Sequence, residues 1–331
     1  MPALLAAILL LIAFPYLFTQ PFLQRTMILV VMWSVLGLAW NFLGGYAGQV
    51  SFGHAIFFGL GAYTSTYLFT EYGVSPWLGM IAGAVVAVIV SAIIGWPSFR
   101  LAGHYFAIAT IAAGEIFAII FRNWKAVGGA VGIYLPIVRG DKLSNFQFHD
   151  SKIGYYYIIL AMLGLAALTT YALERNRVGY YLKAIREDPD AARSLGINVT
   201  LYKMYAMALS AAFTAIVGAF YAQFVLYISP NTVFALNISI QMALVAILGG
   251  TGTLAGPIIG AAILIPMAEY TRVYLGGRAG GLHLVVYGLL IMIISVYQPG
   301  GLMAIYNQWR RKETAQKMQQ AADAASAARE G

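Results

Sequence analysis

The feature that most constrains this chain is a series of ten long apolar segments, each bounded by glycine, proline or charged residues. They lie at 3–19, 27–43, 55–70, 77–97, 104–121, 153–173, 203–227, 237–255, 256–271 and 282–299. A membrane-spanning helix needs about 20 mostly apolar residues, in a range of about 17–25. Segments 55–70 and 256–271 are short and adjoin glycine-rich stretches, so either is a candidate for a broken or re-entrant helix. We therefore predict an all-α, polytopic transmembrane bundle of about ten spans, eight to ten.

The composition supports a membrane protein. Hydrophobic residues make up 61% of the 331 residues and charged residues only 10%, against about 45–50% and about 25% in soluble domains. This composition excludes an ordinary soluble enzyme, a disordered protein and a nucleic-acid-binding module. It predicts that the chain is embedded in a lipid bilayer. No basic residue precedes the first segment, so we interpret it as a retained span rather than a cleaved signal peptide.

Two polar loops, 122–152 and 174–203, and a polar tail at 300–331 separate or follow the spans. With ten spans, the second loop and the tail lie on one side of the membrane and the first loop on the other. The side with the second loop carries twelve Lys and Arg residues, against eight on the other side. The positive-inside rule then favours an N-in, C-in orientation. The predicted organisation is a transmembrane domain at 1–303, with a cytoplasmic loop at 174–203, and a cytoplasmic tail at 304–331.

Several motifs of bond-making chemistry are missing. No Lys follows a Gly, so there is no Gly-Lys-Ser/Thr phosphate loop, and the chain has no HExxH, no CxxC and no nucleophile elbow. It has no cysteine, and its four histidines do not pair at helical spacing. We therefore predict no catalytic residue, no metal site and no cofactor bound by this chain. If the protein uses ATP, another chain must bind it.

The first informative segment is 43–63. Four glycines at 44, 45, 48 and 53 fall within ten residues, and each costs a helix interior about 1 kcal/mol against Ala. We expect the helix to unwind here, which a bilayer tolerates only where protein or a water-filled cavity covers the backbone. One interpretation is a discontinuous element lining a translocation path; the other is close helix packing with interhelical hydrogen bonds. The candidate path residues are Gly45, Gly48, Gln49, Ser51 and His54.

A similar sequence follows the apolar run at 237–255. It contains Gly249 and Gly250, and Pro257 then begins the next span. Two polar side chains inside spans, Glu115 and Gln241, complete the candidate path set. An unpaired carboxylate at bilayer depth costs on the order of 2.5–3.5 kcal/mol or more. Glu115 should therefore face the bundle interior, be protonated or find a partner, and it is either a pathway residue or an interhelical hydrogen-bonding group.

The second informative segment lies in the loop at 174–203. Asp188 is a good N-cap, Pro189 suits a first helical turn and Gly196 is a natural stop, which predicts a seven-residue helix at 189–195. Such a short helix is marginal alone. We favour a docking helix for a cytoplasmic partner over an amphipathic helix on the membrane surface. Its predicted apolar face and rim comprise Ala191, Ala192, Leu195, Arg186, Glu187 and Arg193.

At these residues the chain resembles the inner-membrane permeases of branched-chain amino acid ABC importers, in particular their LivM-type subunits. The resemblance covers about residues 27–303. It rests on 43–63, 103–110, Gly114-Glu115-Ile116, 191–198, 209–212, 218–221, 228–230, 248–250 and the ending Gln298-Pro299-Gly300-Gly301-Leu302. One departure is Ala126-Val127-Gly128-Gly129, where the family usually shows Leu-Thr-Gly-Gly.

The resemblance implies a second, related permease subunit, two ATPase subunits that bind ATP and Mg, and a periplasmic solute-binding protein as partners. It also implies that 187–196 is the helix seated on an ATPase. The expected ATPase-coupling residues are Arg186, Glu187, Asp188, Ala191, Ala192, Leu195 and Gly196. The expected function is import of branched-chain or other hydrophobic amino acids. Permeases for urea, short amides or other small organic solutes are alternatives, and an ion-coupled secondary transporter using Glu115 is an alternative of a different class.

Overall fold

The computed structural model describes residues 2–101, 103–137, 143–148, 151–275, 288–289, 292 and 301–303. The predicted span at 282–299 and the predicted tail at 304–331 lie outside the described residues, apart from residues 288–289 and 292. Within the described ranges the chain forms α1 Pro2–Leu17, α2 Pro21–Asn41, α3 His54–Tyr72, α4 Pro76–Ser98, α5 His104–Asn123, α6 Ile153–Arg175, α7 Arg177–Glu187, α8 Pro189–Ser194, α9 Val199–Val225, α10 Pro230–Val233, α11 Leu236–Gly249 and α12 Ala255–Leu275.

The prediction of an all-α bundle is confirmed. Each of the nine predicted apolar segments in the described part of the chain corresponds to a helix. Six stretches there are long and apolar enough to cross a membrane: Pro21–Tyr46, Pro76–Ser98, His104–Asn123, Ile153–Arg175, Val199–Val225 and Pro230–Gly249. The β-structure of these ranges is one two-residue antiparallel pair, β1 Ile133–Tyr134 with β2 Tyr227–Ile228.

Both segments predicted to be candidates for a break form uninterrupted helices, and each is preceded by a non-helical glycine-rich stretch. Residues 47–53 precede α3, and residues 250–254 precede α12. Pro257 stands in the first turn of α12, where its missing N–H has no intrahelical partner to lose. The glycines of α12 serve close packing, because Gly256 lies against the backbone of Gly249 and Gly260 against the carbonyl of Val245.

The centre of the bundle is a tight group of three helices, α3, α4 and α9. Gly61 of α3 lies against the backbone of Ala215 of α9, and Gly218 of α9 lies against the carbonyl of Phe58. Gly83 of α4 completes the contact on the other side of Gly61. A β-carbon at any of these glycines would overlap backbone atoms or approach them too closely. Small residues are what allow helices in a membrane to approach at backbone distance.

A second group surrounds α2, which packs on α6, α9, α11 and α12. The two long polar loops lie at opposite ends of α6, as predicted, because one precedes it and the other follows it. At the first end, the indole of Trp77 donates to the carbonyl of Leu143 at 2.8 Å. At the other end, the hydroxyl of Tyr46 donates to the carboxylate of Glu174 at 2.6 Å. Which end faces the cytoplasm stays a prediction.

Gly61→Ala should destabilise the bundle, because its new methyl group would overlap the carbonyl oxygen of Ala215. Overpacking of this kind costs about 1–3 kcal/mol, so thermal unfolding in detergent should occur several degrees lower. Gly164→Ala on α6 is the matched control, since a β-carbon there meets open space. Equal unfolding temperatures for the two variants would contradict the close contact between α3 and α9.

Candidate functional site

The helix that begins at Pro21 is broken near its end, as the cluster of glycines predicts. It passes into a π-helical turn at Phe42–Tyr46 and then unwinds through residues 47–53 before α3 begins. Gly48 has φ 68°, a backbone conformation that favours glycine. The indole of Trp40 donates to the carbonyl of Ser51 at 2.8 Å and so covers part of the unwound backbone.

The first residues of α3 lie deep within the bundle. The imidazole Nε2 of His54 contacts the hydroxyl of Ser210 at 2.7 Å, and Ser210 lies about 16 Å along α9 from Val199 at 1.5 Å per residue. Hydroxyl groups of two other helices satisfy the exposed N–H groups. Thr110 accepts from the N–H of Phe52 at 3.1 Å, and Ser239 accepts from the N–H of Ala55 at 2.8 Å.

His54 and Ser51 are fully buried, so the structure places two of the candidate path residues inside the bundle. The Nδ1 atom of His54 has no hydrogen-bond partner in the part of the chain that the structure describes. Gln49 is half-buried beside them, and its N–H donates to the carbonyl of Leu43 at 3.1 Å. His54 therefore makes an interhelical hydrogen bond to α9.

The two glycine-rich stretches meet at the C-terminal end of α2. The buried side chain of Asn41 donates to the carbonyl of Thr253 at 2.9 Å and accepts from the N–H of Gly252 at 2.8 Å. Gly45 faces the same amide, because its β-carbon would overlap the Oδ1 atom of Asn41. Asn41 was not among the predicted residues, although an amide within an apolar run three positions before Gly44-Gly45 is a visible signal.

The candidate residues Gly249 and Gly250 end α11 next to this junction. Gly249 is in backbone contact with α12, and Gly250 has φ 125°, which ends the helix. Gln241 lies two turns earlier on α11 and is half-buried. The structure thus brings Gly45, Gly249 and Gly250 close to one another and leaves Gln241 apart from them.

The predicted short helix is present and one residue shorter than expected. One carboxylate oxygen of Asp188 accepts from the N–H of Asp190 at 2.8 Å and of Ala191 at 3.0 Å. These two backbone donors hold the pKa of Asp188 below its usual value. Gly196 follows the helix with φ 82°, as expected of a stop residue.

The predicted apolar face of α8 needs a correction. Ala192 is only 2% exposed, because it packs against Ile185 of α7 and Val199 of α9 in its own chain. Leu195 is 81% exposed, and Ala191 is also exposed. The side of α8 that a partner can touch therefore contains Ala191 and Leu195, and Ala192 holds the helix on the bundle.

Glu115 lies on the outer surface of this chain. It is exposed in the middle of α5 and has no partner in the described part of the structure. The sequence allowed three outcomes for this carboxylate, and one of them was that it faces the interior of the bundle. Within this chain it does not face the interior. Within the same described ranges, no three His, Asp or Glu side chains lie close enough together to hold a metal ion.

The apolar spans, the broken helix and the two long polar loops together define a multi-pass helical membrane protein. The family profile "Branched-chain amino acid transport system / permease component" matches residues 22–295. The chain belongs to this family.

Curated relatives give the same result. The permease protein LivM of the high-affinity branched-chain amino acid transport system of Escherichia coli is 28% identical over 340 residues, which cover 96% of this chain and 78% of the relative. LivM of Salmonella typhimurium is 28% identical and covers 91% of this chain and 74% of its own. The permease protein LivH of Escherichia coli is 26% identical over 81% of this chain and 90% of its own. No solved structure matches this chain.

Proposed function

We propose that this chain is the transmembrane permease subunit of a bacterial ABC importer in the cytoplasmic (inner) membrane. Its substrates are branched-chain or other hydrophobic amino acids. The observation that carries the proposal is the match of nearly the whole chain to permeases of branched-chain amino acid transport. The capped helix α8 supports it, because Ala191 and Leu195 leave an exposed apolar surface there that a partner can contact.

In this mechanism the permease makes and breaks no covalent bond and binds no cofactor. A periplasmic binding protein delivers the amino acid at the end of the bundle that carries β1 and β2. Two ATPase subunits bind ATP and Mg at the other end and move α8. Binding and hydrolysis of ATP then switch the bundle between outward-open and inward-open states.

The proposal predicts that uptake depends on ATP hydrolysis and not on an ion gradient. Proteoliposomes containing the permeases, the ATPases and the binding protein should accumulate radiolabelled leucine with ATP inside, and should not with a non-hydrolysable analogue. Ionophores that collapse proton and sodium gradients should leave the rate unchanged. Uptake that persists without ATP and stops with the ionophore would identify an ion-coupled transporter instead.

The ATPase contact is predicted to centre on Leu195. Because this side chain is 81% exposed on a cytoplasmic helix, Leu195→Asp should leave the permease folded and reduce ATPase co-purification at least tenfold. Leu143→Asp is the control: it also replaces an exposed leucine, 64% exposed, but at the opposite end of the bundle. Equal ATPase recovery from the two variants would show that α8 does not dock the ATPase.

The second permease subunit is expected to cover α5. Several candidate spans expose apolar stripes, among them α4, α5 and α6, and the stripe on α5 differs from the other two because it contains a carboxylate. The stripe on α4 is apolar throughout and suits lipid; it contains Leu78, Ile81, Val85, Ile89, Ile93 and Trp96. The stripe on α5 contains Tyr105, Ile108 and Ile119 but also Glu115. A carboxylate at mid-membrane is costly in lipid, so protein or a water-filled path should cover this side of α5.

Two exposed alanines allow a matched test of this assignment. Ala112 lies on the stripe of α5 and Ala92 on the stripe of α4. Ala112→Trp should prevent assembly with the second permease, because a large ring would separate two packed helices, whereas Ala92→Trp should be tolerated in lipid. Native mass spectrometry of the purified complexes measures the subunit ratio. Loss of the second permease from the Ala92 variant alone would place the contact on α4.

A further inference from the structure

Arg186 connects the end of α7 to the broken end of α2. Its Nη1 atom donates to the carbonyl of Gly45 at 2.9 Å, although the two residues are 141 positions apart. Gly45 lies in the last turn of the helix that ends at Tyr46. Carbonyls at a helix C-terminus lack intrahelical donors and lie at the negative end of the helix dipole. The guanidinium of Arg186 supplies both a donor and a positive charge at that position.

Glycines from both glycine-rich stretches form the seat of this side chain. Gly48 has φ 68° and Gly252 has φ 72°. A β-carbon on Gly48 would stand 3.0 Å from Cγ of Arg186, and one on Gly252 would stand 2.5 Å from its Nη1. The side chain of Arg186 therefore lies between the two glycine-rich stretches, at positions where neither stretch has a side chain. Asn41 joins the two stretches to each other through its hydrogen bonds.

The surface ion pair of Arg186 does not account for this arrangement. Its Nε lies 3.8 Å from the carboxylate of Glu187, and the two side chains are 41% and 80% exposed. Such exposed pairs contribute little to stability. The contact with Gly45 is the one that joins distant parts of the fold.

Arg186 is also close to α8 along the chain. It is two residues before Asp188, the N-cap of α8, and the preceding turn of α7 is fixed by the buried side chains of Leu182 and Ile185. A second hydrogen bond joins the start of the 174–203 loop to the same broken helix end, where the hydroxyl of Tyr46 donates to the carboxylate of Glu174. Of these two contacts between the loop and the broken end of the helix, the one made by Arg186 is nearer to α8 along the chain.

We propose that Arg186 is a positioning residue that transmits the movement of α8 to the glycine junction at 44–53 and 250–253. The assignment rests on the proposed function, because it requires an ATPase that moves α8. Arg186 and the end of α2 move as one unit in the transport cycle. Without the contact, the ATPases continue to hydrolyse ATP, but the broken helix does not follow.

The test is the number of leucine molecules taken up per ATP hydrolysed by the complete importer in proteoliposomes. In complexes that contain both ATPases, Arg186→Gln should lower uptake per ATP hydrolysed at least tenfold. Arg186→Lys should recover part of the ratio, because it restores a charged donor. Arg177→Gln is the control: Arg177 is an exposed cation at the start of the same helix, and its loss should leave the ratio unchanged.

A ratio for Arg186→Gln equal to that of the wild type would overturn the proposal. A parallel fall of hydrolysis and uptake would overturn it too, because Arg186 would then serve docking or folding. These results differ from a failure of the proposed function, in which the wild-type complex would show no uptake linked to ATP at all.

A cysteine pair provides an independent test, since the natural chain contains no cysteine. A β-carbon at Gly48 would lie 3.3 Å from that of Arg186, close to the about 3.5–4.5 Å of a disulfide. In Gly48→Cys/Arg186→Cys, the reduced protein should show the low ratio of Arg186→Gln, and the oxidised protein should recover at least fivefold. A formed disulfide without recovery of the ratio would overturn the assignment, and so would a reduced protein whose ratio equals that of the wild type.

Discussion

A backbone amide that leaves a helix within a bilayer has no water to bind, so the protein must supply its partner. This requirement governs the break between α2 and α3. Hydroxyls from α5 and α11 bind the N–H groups of Phe52 and Ala55 at the start of α3. The indole of Trp40 binds the carbonyl of Ser51 in the unwound stretch, and the guanidinium of Arg186 binds the carbonyl of Gly45 at the broken end of the helix. Three other helices therefore have to be in place before the break is stable, and the arrangement of the bundle follows from that need.

The same requirement explains why the two glycine-rich stretches meet. Both leave backbone groups without helical partners, and Asn41 satisfies one donor and one acceptor of the second stretch with a single amide. The glycines allow the close approach, and the polar side chains make it favourable. In a soluble protein, water would bind these free backbone groups. Here a few side-chain amides and hydroxyls and one arginine bind them instead.

Much of this fold is predictable from local sequence. Long apolar runs predict the helices, clustered glycines predict the unwound segment, and Asp188 with Gly196 predicts the bounds of α8 to within one residue. The errors concern what lies across space. Ala192 looks like part of a docking face until α7 and α9 are seen to cover it. For Glu115 the sequence leaves several outcomes open, and only the structure shows that this side chain lies on the exposed side of α5. Periodicity gives the faces of a helix, but not the neighbour that each face meets.

The helix contacts in this bundle differ in how much relative movement of the helices they allow. Where Gly61 and Gly218 bring backbones together, no side chain can change rotamer to absorb a shift between α3 and α9. Aromatic rings fill other helix contacts. Phe42 meets Phe213 between α2 and α9 with ring centroids 5.8 Å apart, Tyr63 meets Phe121 between α3 and α5 at 4.9 Å, and Phe58 meets Tyr221 between α3 and α9 at 5.3 Å. Rings can tilt to accommodate a small shift and a backbone contact cannot, so the glycine contacts limit how far α3 and α9 can shift relative to each other.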